Sequence, residues 1–514
     1  MKNKLKEFFD SEIGLLKEKL KTTLVVTFLM GLIAHASIFL NFYPSHDSLM
    51  LVATDDNWQI SLGRFMNPLY VMIRGRVCSP WLIGCLSLIY IALGLAFIFM
   101  IFPGVKEVYK IIFCGLVVTN VSLISLYATY MHDGDIYALC FLLNCVSVYL
   151  IGLKKDEYKL IRNIIGVILL VISMGMYQSY ITISIGLFMC ISMQDIINGE
   201  SFSCVLKRGL NYLIDLIAGG GLYSLIVKLV LKVSGIDMSN SYNGLAQMSG
   251  LSIGSIIKLI PDTYLYYFES LLRKEGINSL LITILNFVLI LVISFLVLKK
   301  MISKNNISKI NKIFLCILYV IFPLGLNAVY VLCGGQVYAL MTLSFCLTYL
   351  LLFLLIEKGK SKIVKMICII SSVVIVCHNV MFSNAAYYLK RLVGMSTQSD
   401  ISQIVHDMNK QADYTKDTPV ILVGEFTDSF ANTWRTGFED YMQLPGYYGT
   451  SVTYLATFNE YCLYILGHPI NLMEDEEQIR NFINLEQEEI DKMAVYPKEG
   501  YCRMINDKMV IKLK

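Results

Sequence analysis

The chain is poor in charge. Only 16% of its 514 residues are Asp, Glu, Lys or Arg, and 56% are hydrophobic. Soluble domains run at about 25% charged and about 45–50% apolar, so the composition excludes an ordinary water-soluble globule. Histidine is scarce, at 6 residues. No H-E-x-x-H occurs, and none of the 14 cysteines forms a C-x-x-C pair, which argues against a zinc or thioredoxin-type centre. There is no Walker motif and no G-x-G-x-x-G in a βαβ setting, so no nucleotide cofactor is expected. The net charge is +4, and no basic cluster is interleaved with aromatics, which leaves nucleic acid without a footprint. Internal repeats and low-complexity runs are also missing. Most cysteines sit inside apolar tracts, where they read as small hydrophobes. Cys462 and Cys502 lie in polar sequence, where a bridge between them is an open alternative.

What is abundant is long apolar sequence. Spanning tracts occur near 22–42, 81–102, 111–131, 136–153, 163–177, 178–197, 210–232, 277–298, 313–333, 336–356 and 363–382. About 20 apolar residues cross a bilayer, so the expectation is about eleven transmembrane helices. The fifth and sixth tracts are fused, and we split them at Gly175-Met176-Tyr177-Gln178 because their joint length exceeds one crossing. A basic start and Ala34-His35-Ala36 resemble a cleavable signal. The apolar run continues through Phe42, however, and reads as a retained first helix.

Charge distribution sets the orientation. Every alternate connection is short and basic: Lys2 to Lys21, Lys106 and Lys110, Lys154 to Arg162, Lys207 and Arg208, Lys299 to Lys312, and Lys358 to Lys365. Basic loops stay on the cytoplasmic side. The N-terminus is therefore expected inside, with the first outer loop, 43–80, and the region 383–514 outside. In that loop Asp55 or Asp56 starts a helix with Trp58, Leu62, Phe65 and Met66 on one face, ending at Asn67-Pro68, a pair that can also start another helix. A second helix begins at Pro261-Asp262. Each is either an interfacial helix or a loop packed on the bundle. After 383 the composition turns polar. A helix at 401–412, a strand at 419–424, helical sequence over 474–493 and a hairpin around Asn506-Asp507 describe a small α/β domain.

The polar residues that could carry chemistry gather at outer helix ends. His46 and Asp47 stand at the end of the first span, in Tyr43-Pro44-Ser45-His46-Asp47-Ser48. A carboxylate there can serve as a general base, or it is a loop aspartate satisfied by Ser45 or Ser48. His132-Asp133-Gly134-Asp135 faces the same compartment. Asp133-Gly134 suits a tight turn, and Asp135 suits either a site or an N-cap. Arg64, Arg74, Arg76 and Lys228 are cations at headgroup level, suited to a lipid phosphate, although Lys228 equally reads as a snorkelling lysine. Asp215, His35 and His378 read as structural.

These residues carry a resemblance. Y-P-S-H-D-S-L at 43–49, G-R-F-M-N-P-L at 63–69, S-P-W at 79–81, D-I-Y at 135–137 and G-M-Y-Q-S-Y at 175–180 are similar, in order, to the Gtr type II glucosyltransferases. Phe65 stands where that pattern more often has Trp. The motifs cover roughly the first 200 residues. The resemblance implies a multi-pass GT-C fold on residues 1–382 with an extracytoplasmic domain over 383–514. It implies an inverting transfer from a polyprenyl-phosphate-linked sugar to a polysaccharide, in a bacterial plasma membrane, served by a flippase and a polyprenyl-phosphate sugar synthase. It maps the base onto Asp47 and gives Gln178 a place in the substrate site. His46, His132, Asp133 and Asp135 would orient the acceptor or hold Asp47, and Arg64, Arg74 or Lys228 would meet the phosphate. A lipid-linked sugar transporter or flippase, and a polysaccharide polymerase or ligase, are the alternative readings.

Overall fold

The structure is a computed structural model that describes residues 2–43, 45, 48–49, 52–53, 55–239, 252–272, 280–303, 307–357, 359, 361–424 and 455–513. The two central residues of the first outer motif, His46 and Asp47, lie outside the described residues.

Apolar length and helix agree closely. Ten helical segments among the described residues are long and apolar enough to cross a bilayer. The tract expected at 336–356 forms a shorter apolar segment, Leu343–Glu357, of 3₁₀ turns leading into helix. In order along the bundle, α1 is Lys2–Leu40, α2 Asp56–Ser61, α3 Met66–Arg74, α4 Pro80–Ile101, α5 Glu107–Val118, α6 Val121–Thr129 and α7 Gly134–Gly152. Then follow α8 at Lys159–Met176, α9 at Ile181–Ile197, α10 at Phe202–Ser234 and α11 at Ile253–Leu272. The remaining helices of the bundle are α12 at Leu280–Ile302, α13 at Lys309–Leu326, α14 at Ala328–Leu332, α15 at Leu347–Glu357 and α16 at Lys362–Asn409. The third span is two helices, because Asn120 caps a fresh start by accepting from the Ser122 amide. The long fused tract breaks where the sequence predicts it. Tyr177 is extended (φ −156°, ψ 110°), and the 3₁₀ turn Gln178–Tyr180 leads into α9.

The apolar core lies between α1, α4, α5 and α7, where Phe39, Phe99, Phe113, Tyr127 and Phe141 are buried. His35 is buried there too. Its ring bonds the Tyr387 hydroxyl and the Val118 carbonyl, each at 2.8 Å, which makes it structural.

Three expectations change in detail. The helix in the loop after the first span ends at Ser61, not at Asn67-Pro68, because Gly63 takes φ 78°, which a helix cannot contain. Asn67 and Pro68 fall in the first turn of α3, the new helix that the pair was expected to allow, where Pro forfeits no intrahelical bond. Helix α3 exposes Leu69, Met72 and Ile73 on one side, an apolar face suited to the bilayer boundary. The second surface helix, α11, starts eight residues before Pro261 and carries that proline inside. The third change concerns the last span. Helix α16 runs unbroken past 383 for 48 residues, which at 1.5 Å per residue is about 70 Å. A hydrocarbon core of about 30 Å takes up less than half of that.

The polar C-terminal region forms on the far end of this helix. Strands β1 (Pro419–Val423), β2 (Asn471–Leu472), β3 (Cys502–Ile505) and β4 (Lys508–Lys512) make one sheet in the order β2-β1-β4-β3. The predicted hairpin is β3–β4, with Asn506 and Asp507 at φ 45° and 60°, the signature of a two-residue primed turn. Its core combines Ile401, Ile404 and Met408 of α16 with Val420, Met509 and Ile511 of the sheet. Cys462 and Cys502 are both buried free thiols in this core, so the bridge is absent.

Candidate functional site

The described residues of the loop after the first span are tied down by hydrogen bonds. The Ser45 hydroxyl donates to the Thr129 carbonyl at the end of α6. Ser45 and Ser48 close on each other: the Ser48 hydroxyl accepts from the Ser45 amide at 3.0 Å and bonds the Ser45 hydroxyl at 2.8 Å, and the Ser48 amide donates to the Ser45 carbonyl at 3.0 Å. Both serines are buried.

Arg74 and Asp135 form the next element. Arg74 Nη1 lies 2.5 Å from Asp135 Oδ1, and their side chains are 2% and 0% exposed. Asp135 Oδ2 also accepts from the Tyr70 hydroxyl at 2.8 Å, and Arg74 Nη1 donates to the His132 carbonyl at 3.0 Å. Asp135 lies inside the first turn of α7 and caps nothing; its carboxylate is committed to Arg74 and Tyr70. Burial, together with the adjacent Asp135 carboxylate, pushes the Tyr70 hydroxyl far above the usual phenol range, so it stays a donor. Arg74 Nε and Nη2 and His132 Nδ1 are buried without a hydrogen-bond partner. Asp133 lies 3.7 Å from His132 Nε2.

Arg64 and Gln178 belong to a second group. The Arg64 guanidinium sits 4.8 Å over the Tyr177 ring, a cation–π contact, and donates to Gln59 at 3.4 Å. Gln178 donates to the Leu62 carbonyl and to the Tyr223 hydroxyl, both at 2.8 Å, while Tyr223 donates to the Gly63 carbonyl at 3.1 Å. This pins the Leu62-Gly63-Arg64 turn onto α8, α9 and α10. Tyr137 of α7 packs on the second group, its ring 4.3 Å from that of Tyr177.

Below Arg64, Tyr177 and Gln178 opens an apolar cavity of about 390 Å³ between α8, α9 and α10. Its wall continues through Ile181, Ile185, Leu213 and Leu216, with Cys333 and Met341 opposite. From Ser224 to Leu213 the lining follows α10 for three turns, about 16 Å. Lys228 is not part of it; the lysine is exposed on α10. Arg76 is spent elsewhere, on a bidentate pair with Asp56 at 2.9 and 2.6 Å, which lowers the Asp56 carboxyl below its ordinary range.

Close packing holds the turn in place. A Cβ on Gly175 would sit 2.7 Å from Phe65 Cζ and 2.9 Å from Met66 Cγ. Phe65 is itself stacked on Tyr223, with ring centroids 6.1 Å apart. Gly175→Ala should destabilise the protein by about 1–3 kcal/mol, the usual cost of overpacking. Thermal unfolding in micelles checks this, and an unchanged midpoint would show that the ring can give way.

Sequence reasoning named Arg64, Arg74, His132, Asp133, Asp135 and Gln178, which the fold gathers into these two groups. It missed Tyr70 and Tyr223, since a tyrosine in an apolar tract carries no local mark of its distant partner.

Ten helices among the described residues, apolar and long enough to cross a bilayer, with a polar cluster and an apolar cavity near one set of helix ends, define a multi-pass membrane protein. A family model described as glucosyl transferase GtrII matches residues 36–356, and the chain belongs to that family. It is a glycosyltransferase, working with a sugar donor and an acceptor at a bilayer. No curated protein and no solved structure matches the chain.

Proposed function

We propose that the protein transfers a hexosyl residue, with inversion, from a polyprenyl-phosphate sugar to a cell-surface polysaccharide or wall glycan on the outer face of a bacterial plasma membrane. The observation that carries this reading is the apolar cavity that has Arg64 in its lining. A polyprenyl chain needs a greasy channel, and its phosphate needs a cation at the headgroup end. Arg64 is the charged residue that lines this cavity.

In this scheme the Asp47 carboxylate takes the proton of an acceptor hydroxyl. The oxygen attacks the anomeric carbon opposite the phosphate, the anomeric C–O bond breaks, and polyprenyl phosphate leaves with the electron pair. Arg64 offsets the charge that develops on the leaving phosphate. Arg74 and Asp135 hold the loop and helix ends around the site, while His46, His132 and Asp133 orient the acceptor and Gln178 holds the Arg64 turn. The alternating basic loops support a cytoplasmic N-terminus and an external C-terminal domain.

The direct test incubates purified protein with polyprenyl-phosphate glucose, galactose or N-acetylhexosamine and candidate glycans. Product of inverted anomeric configuration is expected with a monophosphate donor. Turnover only of pyrophosphate-linked glycans would replace this reading with a polymerase. Arg64→Gln should raise the donor KM about 10–100-fold, because a charge-assisted bond contributes about 1.5–3 kcal/mol. Lys228→Gln should leave KM within about twofold of wild type, as surface charges contribute little. Equal effects from both variants would remove Arg64 from the phosphate site.

A further inference from the structure

A second cavity, of about 280 Å³, lies at the opposite end of α8 from Tyr177 and Gln178. Lys159, the first residue of α8, lines it. The helix has 18 residues, which at 1.5 Å per residue puts its two ends about 27 Å apart. The walls are fixed by buried groups. Arg162 donates to the carbonyls of Leu150, Leu153, Lys155 and Glu157, which holds the connection between α7 and α8 in place. Asp195, with its side chain 5% exposed, accepts from Lys154 at 2.7 Å and from Arg208 at 2.5 Å. Glu200 reaches the same two cations at 3.0 and 3.2 Å, and Glu12 takes Lys155 at 2.6 Å. Those charges are committed within the protein. Other groups of the wall are not. Tyr212 is 5% exposed, and its hydroxyl is buried without a hydrogen-bond partner. Asn163 donates to Asp215 at 3.1 Å, while its own side-chain oxygen is buried and unpartnered. Lys159 and Lys207 line the cavity and form no ion pair among the described residues. The first turn of α8 has no acidic residue and no side-chain cap, which leaves the positive end of the helix dipole at the cavity.

We propose that this cavity binds the headgroup of an anionic glycerophospholipid, with phosphatidylglycerol as the matching chemistry. Its phosphate takes Lys159, Lys207 and the Tyr212 hydroxyl. Its glycerol hydroxyls donate to the Asn163 oxygen and to Asp156 and Asp215, the two carboxylates of the wall. A buried donor or acceptor without a partner is costly, and the headgroup relieves that cost on both sides. The neighbouring surface favours a lipid over a free ion. Ile161, Ile164 and Ile168 form an exposed apolar track along α8, and Leu210 and Ile214 form one along α10. Acyl chains lie on those tracks, whereas a phosphate ion has no use for them. A basic pocket between spanning helices is a favoured place for an anionic headgroup. The site is separate from the Arg64 cavity and does not depend on how sugar is transferred.

The test titrates the full-length protein, in micelles of an uncharged detergent, with phosphatidylglycerol, phosphatidylcholine or inorganic phosphate. Native mass spectrometry counts bound lipid, and thermal unfolding reports stabilisation. Phosphatidylglycerol should raise the wild-type midpoint by about 3 °C or more, while the other two leave it unmoved. The double variant Lys159→Gln, Lys207→Gln should weaken phosphatidylglycerol binding by about tenfold or more. Tyr212→Phe is the sharper probe. It keeps the ring stacked on Phe188 and deletes only a hydroxyl that bonds nothing in the lipid-free protein. Its lipid-free midpoint should therefore hold or rise, while its affinity for phosphatidylglycerol falls about fivefold, the loss of one hydrogen bond. A lower lipid-free midpoint in Tyr212→Phe would mean that the hydroxyl already has a partner, and would overturn the proposal. Equal stabilisation by phosphatidylcholine would reduce the effect to a general need for lipid. Equal stabilisation by inorganic phosphate would make the site one for a soluble anion. Unchanged phosphatidylglycerol binding in both variants would place the lipid elsewhere. Each of these results would overturn the assignment.

Discussion

Asp47→Asn protein should insert, fold and bind donor like the wild type, yet transfer sugar about 10²–10⁴ times more slowly, the range that general-base catalysis contributes. Asparagine matches the shape of aspartate but cannot take a proton at neutral pH. Ser45 and Ser48, which flank position 47 in sequence, are held by each other and by the Thr129 carbonyl. Donor binding draws on the apolar cavity and Arg64, which lie on other elements. The expected signature is a fall in kcat with little change in donor KM. Single-turnover transfer with saturating donor measures it, and a near wild-type rate would remove Asp47 from the chemistry.

The second large effect is on stability. Arg74→Met should destabilise the folded protein by about 3–5 kcal/mol, because it strands a buried carboxylate. Arg74 and Asp135 are 2% and 0% exposed, so water does not screen the loss. Tyr70 remains as a donor at 2.8 Å, but one neutral hydroxyl does not balance a full charge. The double variant Arg74→Met, Asp135→Leu removes both charges and should regain much of that stability, since an apolar pair of similar volume is often as stable as a buried ion pair. It should not regain activity, because Arg74 also ties α3 to the His132 carbonyl beside the site. Denaturant or thermal unfolding in micelles gives the numbers. A single-variant cost below about 1 kcal/mol, the scale of an exposed pair, would mean that water reaches Asp135.

The helical layout was legible because the bilayer imposes a local rule. Backbone groups must be satisfied within each crossing, so a run of apolar residues declares a span on its own. The break at Tyr177 and the Asn506-Asp507 turn were readable for similar reasons, one from length and one from turn chemistry. The ends of α2 and α11 were less so. Gly63 outweighed a continuous apolar face, and Pro261 was tolerated inside a helix that the surrounding packing supports. The continuity of α16 past 383 also escaped, because a drop in hydropathy marks where the solvent changes and not where a helix stops.

By itself, the sequence determined that this is a membrane-spanning helical protein of the GtrII glucosyl transferase family, which residue types stand at the helix ends, and that a small α/β unit follows the last span. Only the tertiary structure decided who meets whom: Arg74 with Asp135 across 61 residues, Gln178 with the Leu62 carbonyl across 116, and Leu49 with a core built more than 350 residues later. The physical reason is that helix and span are selected by neighbours a few positions apart, whereas charge pairing and core packing depend on distances in space that no local pattern of residues encodes.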